Sequence, residues 1–236
     1  MSDSTTTSEA LAAYTGSRPE VRALVPASAR RVLDLGCSAG AVGAALKDRG
    51  ATEVVGVELD PALALQAQTR LDRVVVGDAG ELPGDLGRFD CVVAADVLEH
   101  LDDPWAALRR AVDLLEPGGA VVVSLPNVRF FETFWQLGVR GTWPRRDQGV
   151  FDRTHLRWFA LSDARELLEG AGLTVDAVRP LIRVRPRGSR FDRLFAWLGH
   201  TPLQGFFAYQ YLLRGLKNGR ESPISRNGDP GPPAVA

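Results

Sequence analysis

From about residue 19 to residue 125, short apolar runs alternate with stretches of helical periodicity, the pattern of a parallel sheet covered by helices on both faces. The runs predict strands at Arg31–Leu35, Glu53–Glu58, Arg73–Gly77, Phe89–Ala95 and Gly119–Leu125. Between them the spacing predicts helices at Ala41–Arg49, Pro61–Leu71 and Pro104–Leu115, the last closed by a Pro117-Gly118-Gly119 turn. After Leu125 the pattern loosens into an aromatic and arginine-rich stretch, Pro126–Phe159, too long for an ordinary connection and therefore read as functional. Regularity returns at Ser162, a candidate N-cap for a helix running to Gly170, followed by a strand at Leu173–Leu181. A short helix is expected at Gly188–Gly199 and a last strand or helix at Ala208–Lys217. The organisation is therefore a flexible N-terminus (1–18), one doubly wound α/β domain (19–217) with an inserted lid (126–160), and a disordered tail (218–236).

Composition narrows the function classes. A chain of 236 residues suits one domain with extensions. A net charge of -1 and a pI near 6.3 provide no basic field, so no nucleic-acid partner is expected. The two cysteines, Cys37 and Cys91, read as reduced, buried thiols rather than a disulfide or a zinc site. Met1–Glu9 is Ser/Thr-rich and acidic, unlike a signal peptide, and no apolar run reaches the roughly 18 residues of a membrane span. The expected location is cytoplasmic.

The densest chemical signal is Asp34-Leu-Gly-Cys-Ser-Ala-Gly-Ala-Val-Gly43, where a strand turns sharply into a helix. Gly36 and Gly40 let a ligand approach bare backbone with the helix amides facing it. Ser38 stands where the second glycine of a dinucleotide-binding G-x-G-x-x-G would be, which leaves a pyrophosphate less room. Acidic residues recur at the strand ends: Asp34, Glu58, Asp78 and Asp96. Ligands of doubly wound sheets sit beyond those ends, although each acid alone would equally serve as a cap or turn residue.

Taken in order, VLDLGCSAG, VVGVELD, VVVGDAGEL and FDCVVAADVLEH resemble a class I S-adenosylmethionine-dependent methyltransferase over most of residues 20 to 180. The resemblance implies a seven-stranded sheet and a cofactor contacted by Asp34, Gly36, Ser38 and Gly40 at its methionine part. It implies Glu58, followed by Leu59, at the ribose hydroxyls, and Asp78 with the Ala79 amide at the adenine edge. Ala95 and Asp96 would lie beside the methionine amino group or the acceptor. Ser38 departs from the commoner glycine of that family. A NAD oxidoreductase would also place an acid at Glu58 but does not require Asp78 or the Asp96–His100 segment; a non-catalytic cofactor-binding module is the other alternative.

On the acceptor side, GVFDRTHLRWF resembles a segment of a methyltransferase subgroup linked to glycan or other small hydroxylated acceptors, where it closes over the active site. His155 is the expected general base, oriented by Asp152 or Asp96. The structural alternative has Asp152 and Thr154 capping a helix with the imidazole packed beneath. Asn127, Arg153, Arg157 and His100 are the substrate-binding candidates, and the arginines would otherwise lie along an apolar surface. Asp96, Glu99, His100 and His155 supply oxygen and nitrogen donors, making a divalent metal a second candidate cofactor. Residues 183–220 carry eight Arg or Lys against the single acid Asp192, interleaved with aromatics. That segment reads as closing strands, as a peripheral membrane contact, or as an RNA-binding face. The expected reaction is O-methylation of a small hydroxylated acceptor, a sugar or polysaccharide end first, a quinone-type phenol or an amine otherwise.

Overall fold

A computed structural model describes residues 16–182 and 204–218. The chain opens with a one-turn helix α1 (Pro19–Arg22) and continues through β1 (Arg31–Leu35), α2 (Ala41–Lys47), β2 (Glu53–Glu58), α3 (Pro61–Ala67), β3 (Arg73–Val76) and β4 (Phe89–Ala95). A 3-10 turn at Leu98–His100 leads to α4 (Pro104–Asp113) and β5 (Leu115–Pro126). The insertion holds α5 (Phe131–Thr133) running into a π-helical turn at Phe134–Val139. It is followed by α6 (Leu161–Gly170), β6 (Leu173–Ile182), α7 (Gln204–Phe207) and β7 (Ala208–Lys217). Ala208–Lys217, open between strand and helix in the sequence, is a strand.

The seven strands form one sheet in the order β3-β2-β1-β4-β5-β7-β6. All pairs are parallel except those made by β7, which runs antiparallel to both β5 and β6. Strand order reverses between β1 and β4, so a crevice opens past their carboxyl ends. Residues alternate between two buried clusters along the central strands: Leu33, Val55, Val92, Val121 and Val123 face one helical layer, and Val32, Val54, Cys91, Val93 and Val122 the other. Cover on both faces explains why these strands read as continuous apolar runs.

Two predicted helix ends are built differently. Pro117-Gly118-Gly119 does not close α4. It lies within β5, as a register shift between Phe89↔Leu115 and Cys91↔Ala120, with Gly118 at φ 80°. Ser162 is not the N-cap of α6: Ala160 occupies that position, and its amide donates to the Asp163 carboxylate at 2.8 Å. Within the insertion, Phe130, Val150 and Phe151 form a small core of their own against Trp143 and Tyr209. The helix expected at Gly188–Gly199 lies outside the described residues, as does almost all of the 218–236 tail and of the 1–18 segment.

Both cysteines are buried and free, as expected, and burial pushes both thiols up, Cys91 to about 12. No helix among the described residues is long and apolar enough to cross a membrane. Arg214 and Lys217, part of the basic C-terminal run, are spent on structure: Arg214 forks onto Asp176 and Lys217 binds the Val112 and Leu115 carbonyls.

Close packing behind the glycine turn gives a direct test. A Cβ on Gly56 in β2 would lie 2.5 Å from Cys37 Sγ and 2.8 Å from Leu71 Cδ1, whereas one on Gly84 would meet nothing. Gly56→Ala is expected to lose roughly 1–3 kcal/mol by overpacking, a fall of about 5 °C in Tm for a domain of this size. Gly84→Ala should leave Tm unchanged in the same thermal scans.

Candidate active site

Three non-glycine residues among those described have positive φ: Arg18 (41°), Ser38 (49°) and Asp96 (59°). All three line one cleft, about 60 Å³, with Gly16, Asp34, Gly36, Cys37, Ala41, Val42 and Ala95. Such backbone strain persists only where the surroundings enforce it, and it concentrates at functional sites. The cleft sits past β1 and β4, at the reversal of strand order.

Register explains how the cleft is built. Gly36 and Cys37 donate their amides to the Val57 carbonyl at 2.8 and 3.1 Å, pulling the turn over β2. The Glu58 carboxylate then accepts the Ser38 amide at 2.7 Å and the Asp60 amide at 2.9 Å. Ser38 Oγ is buried and makes no hydrogen bond. Asp34 is 3% exposed, and burial beside Glu58 pushes it up to about 7, against the pull of the Gly43 amide. Of the remaining cofactor candidates, Gly40 supplies the left-handed N-cap of α2 at φ 79°. Asp78 closes a local turn onto the Gly80 amide at 2.6 Å, Ala79 is buried and Leu59 is exposed.

Asp96 forms a partition. Its carboxylate accepts from Ser124 Oγ at 2.7 Å, and from the Arg18 guanidinium and Gln210 Nε2 at shorter contacts. Ala95↔Ser124 pairing of β4 with β5, and Pro126↔Gln210 pairing of β5 with β7, bring these groups together. Arg18 also donates to Glu20 Oε1 at 2.5 Å and to Ser124 Oγ at 3.1 Å. On the far side of this node lies a larger cavity of about 240 Å³, lined among others by Arg18, Asp96, Glu99, His100, His155 and Tyr209.

The expected orienting role of Asp96 toward His155 is not what the structure shows, since that carboxylate turns to Arg18, Ser124 and Gln210. Asp152 accepts the Thr154 amide at 2.9 Å and hydroxyl at 2.6 Å, and Thr154 Oγ1 in turn meets His100 Nδ1 at 3.0 Å. Asp152 therefore reaches His100 through Thr154. His155 itself is 7% exposed and its Nε2 lies 4.0 Å from Glu99 Oε1. The two segments are tied by the Glu99 carbonyl, which accepts the Leu156 and Arg157 amides at 2.9 and 3.1 Å. Burial, then His100, holds the His155 imidazole below its ordinary value, with nearby Asp152 opposing. Glu99 is pushed well above the usual carboxylate range by burial and by Asp96.

Two substrate candidates are structural. Asn127 is fully buried, donates to the Gly205 and Ala208 carbonyls at 2.7 Å each, and accepts the Arg129 amide at 3.0 Å. Arg157 donates to the Leu156 and Asp102 carbonyls. Arg153 is exposed and pairs with Asp147. Sequence reasoning missed Arg18, Ser124 and Gln210. The first lies beyond the predicted domain boundary at residue 18, and the other two lie inside ordinary strand patterns.

A family model described as methyltransferase domain matches residues 11–178. The ubiquinone biosynthesis O-methyltransferase of Azorhizobium caulinodans is 37% identical over 114 residues, covering 46% of this chain and 45% of the relative. The Pseudomonas aeruginosa protein of the same name is 35% identical over 108 residues, 42% of this chain and 45% of that one. The match thus spans less than half the length of these curated relatives. Among solved structures, an Archaeoglobus fulgidus S-adenosylmethionine-dependent methyltransferase is similar with a TM-score of 0.61 at 20% identity, covering 87% of this chain and 97% of that one. One from Mesorhizobium loti gives 0.61 at 18%, covering 84% and 96%. At these identities the structural likeness concerns the fold.

The buried Asp34 carboxyl makes a prediction about pH. Its folded value of about 7 exceeds the unfolded value of 3.8, so the folded chain holds the proton more tightly. Stability is then lost as pH rises through that window and levels off above it. Asp34→Asn removes this slope, so the variant should gain on the parent by on the order of 4 kcal/mol between pH 4 and pH 7. Urea unfolding without cofactor at pH 4, 5.5 and 7 measures it; a difference that stays flat with pH contradicts it.

Proposed function

The chain belongs to the class I S-adenosylmethionine-dependent methyltransferase family, and from that premise we propose that it transfers the cofactor's methyl to a hydroxyl oxygen of a small acceptor. The observation that carries this reading is the pair of chambers sharing Arg18 and Asp96 as their common wall. One is lined by the glycine turn and suits the donor; the other contains Glu99, His100 and His155 and suits the acceptor.

In the donor chamber, the amides of the Gly36–Gly40 turn and the Asp34 carboxyl face the methionine part. The Arg18 guanidinium would supply the cation for its carboxylate and Asp96, in the same wall, would take the amino group. Glu58, already accepting Ser38 and Asp60, keeps lone pairs for the ribose diol, with Leu59 beside it. Asp78 and the Ala79 amide, past the end of β3, serve the adenine edge.

Methyl transfer from a sulfonium is an in-line displacement, so positioning supplies much of the rate. A hydroxyl acceptor must also lose its proton. The Glu99–His100–His155 cluster is the place for that step, with His155 as its most buried imidazole and Asp152 supporting His100 through Thr154. Arg153, exposed at the outer opening with Asp147, is the remaining cation for the acceptor's polar end.

For the acceptor, the names of the relatives support a quinone-type phenol ahead of the sugar end expected from the sequence. Exposed Phe131, Phe134, Trp135, Leu137 and Val139 beside an apolar depression of about 340 Å³ also suit an acceptor with an apolar body.

Calorimetry with S-adenosylmethionine, S-adenosylhomocysteine and NAD tests the donor: the first two are expected to bind and NAD not to, and absence of binding by the first two overturns the reading. Arg18→Met should weaken S-adenosylmethionine about 10- to 100-fold, the loss of one charged hydrogen bond. His155→Ala should slow S-adenosylhomocysteine formation by roughly 10²- to 10⁴-fold while cofactor binding is kept. Turnover on a catechol-type phenol against a sugar alcohol distinguishes the acceptor classes, and preference for the sugar overturns the phenol reading.

A further inference from the structure

Glu99 has no ordinary reason to be where it is. It is 1% exposed in the wall of the larger cavity, and neither carboxylate oxygen accepts a hydrogen bond. A buried carboxylate without donors is costly unless a cation or a proton meets it. Arg18, the cation of this wall, is engaged with Asp96, Glu20 and Ser124.

Two imidazoles face the same point. One donor atom from each of Glu99, His100 and His155 can be chosen so that all lie within 4.8 Å of one another. The two rings meet edge to face at 4.7 Å. Three donors around one ion with bonds of about 2.1 Å sit roughly 3.0–3.6 Å apart. The 4.0 Å between His155 Nε2 and Glu99 Oε1 is a few tenths of an ångström to one ångström too wide, and side-chain movements of about 1 Å close the cluster around an ion.

The tautomer of His100 fits as well. Thr154 has one hydroxyl proton, and it goes to Asp152 Oδ1 at 2.6 Å. His100 Nδ1, 3.0 Å from that hydroxyl and 3.3 Å from the Thr154 carbonyl, must therefore be the donor. That leaves the lone pair of the neutral ring on Nε2. A carboxylate-backed support that fixes one ring nitrogen as donor is how proteins orient histidine ligands.

We infer that Glu99, His100 and His155 hold a divalent transition-metal ion, with the open cavity providing the remaining coordination positions. Asp96, the fourth sequence candidate, is excluded by its bonds to Arg18, Ser124 and Gln210. Two nitrogens and one carboxylate suit Mn(II), Co(II) or Zn(II) better than Mg(II), which favours an all-oxygen shell. The consequence for catalysis rests on the methyl-transfer reading: the acceptor hydroxyl would bind the ion and lose its proton at lower pH, and His155 would act as a ligand rather than as the free base.

The test uses the full chain, stripped with chelator and titrated with MnCl₂ while the electron paramagnetic resonance signal of free Mn(II) is followed. CoCl₂ titration followed by visible absorption reports nitrogen coordination. One equivalent should bind, MgCl₂ should compete poorly, and Glu99→Gln and His155→Gln should each weaken binding at least about 10-fold. Thr154→Val, on an exposed residue that is not a ligand, should weaken it by about 10- to 100-fold. S-adenosylhomocysteine calorimetry on the same variants reports an intact fold. Absence of stoichiometric binding by the parent chain, or parent-like affinity in Glu99→Gln and His155→Gln with cofactor binding kept, overturns the inference. Metal binding without any S-adenosylmethionine binding would sustain the metal site and defeat the methyl-transfer reading, so the two fail separately.

Discussion

The carboxylate of Asp96 holds the two halves of the site in register. It stands one residue past β4 in a left-handed conformation and gathers a guanidinium from before α1, a hydroxyl from β5 and an amide from β7. These partners are 78, 28 and 114 residues away in the chain. They converge because β4, β5 and β7 are adjacent in the sheet, so neighbouring positions on three strands face one point. A carboxylate so engaged works as a wall between chambers and as an anchor for Arg18. Its geometry also decides what it cannot do: with Ser124, Gln210 and Arg18 in place, it is spent as a base and as a metal ligand.

What was legible in the sequence was set by short-range pattern. Strands covered on both faces announce themselves as apolar runs, and β1, β2 and β4 begin and end where the pattern placed them. The glycine turn was legible for the same reason, since the positive φ of Gly36 and Gly40 is a local requirement. Partnerships across the sheet were not legible. Nothing near Arg18 announces a guanidinium bound for the end of β4, and Gln210 looks like any polar residue in an alternating strand. Asn127 failed in the opposite direction. Its position past β5 suggested ligand contact, yet it is fully buried and bonds three backbone groups, holding α7 and β7 to the start of the insertion. Pocket-facing and loop-stapling asparagines share the same sequence context, and only the partners tell them apart.

The insertion shows how a long connection can be both ordered and functional. Its small aromatic core around Phe151 gives it stiffness, and its attachment to the domain runs through backbone: the Glu99 carbonyl takes two amides of the segment after His155. That attachment sets the distance between Glu99 and His155 by main-chain geometry rather than by the side chains themselves. Backbone anchoring is stiffer than a side-chain contact, because no rotamer freedom intervenes. The cluster is thus made of one residue pair delivered by the 3-10 turn after β4 and one histidine delivered by the insertion, locked together a residue away from the groups that do chemistry.

Such locking has an energetic counterpart. Asp34 and Glu99 are both buried acids whose neutral forms are favoured, and both line the chambers rather than the hydrophobic core. Polar groups buried without full compensation lower the stability of the empty fold. Three left-handed non-glycine residues in the same region add to that cost. A site that is expensive when empty is one in which a ligand finds donors and acceptors already desolvated and aimed, so less of its binding free energy goes into ordering the protein. The apolar sheet, covered on both faces from β2 to β5, is what stabilises the fold enough for that cost to be borne at the carboxyl ends of its strands.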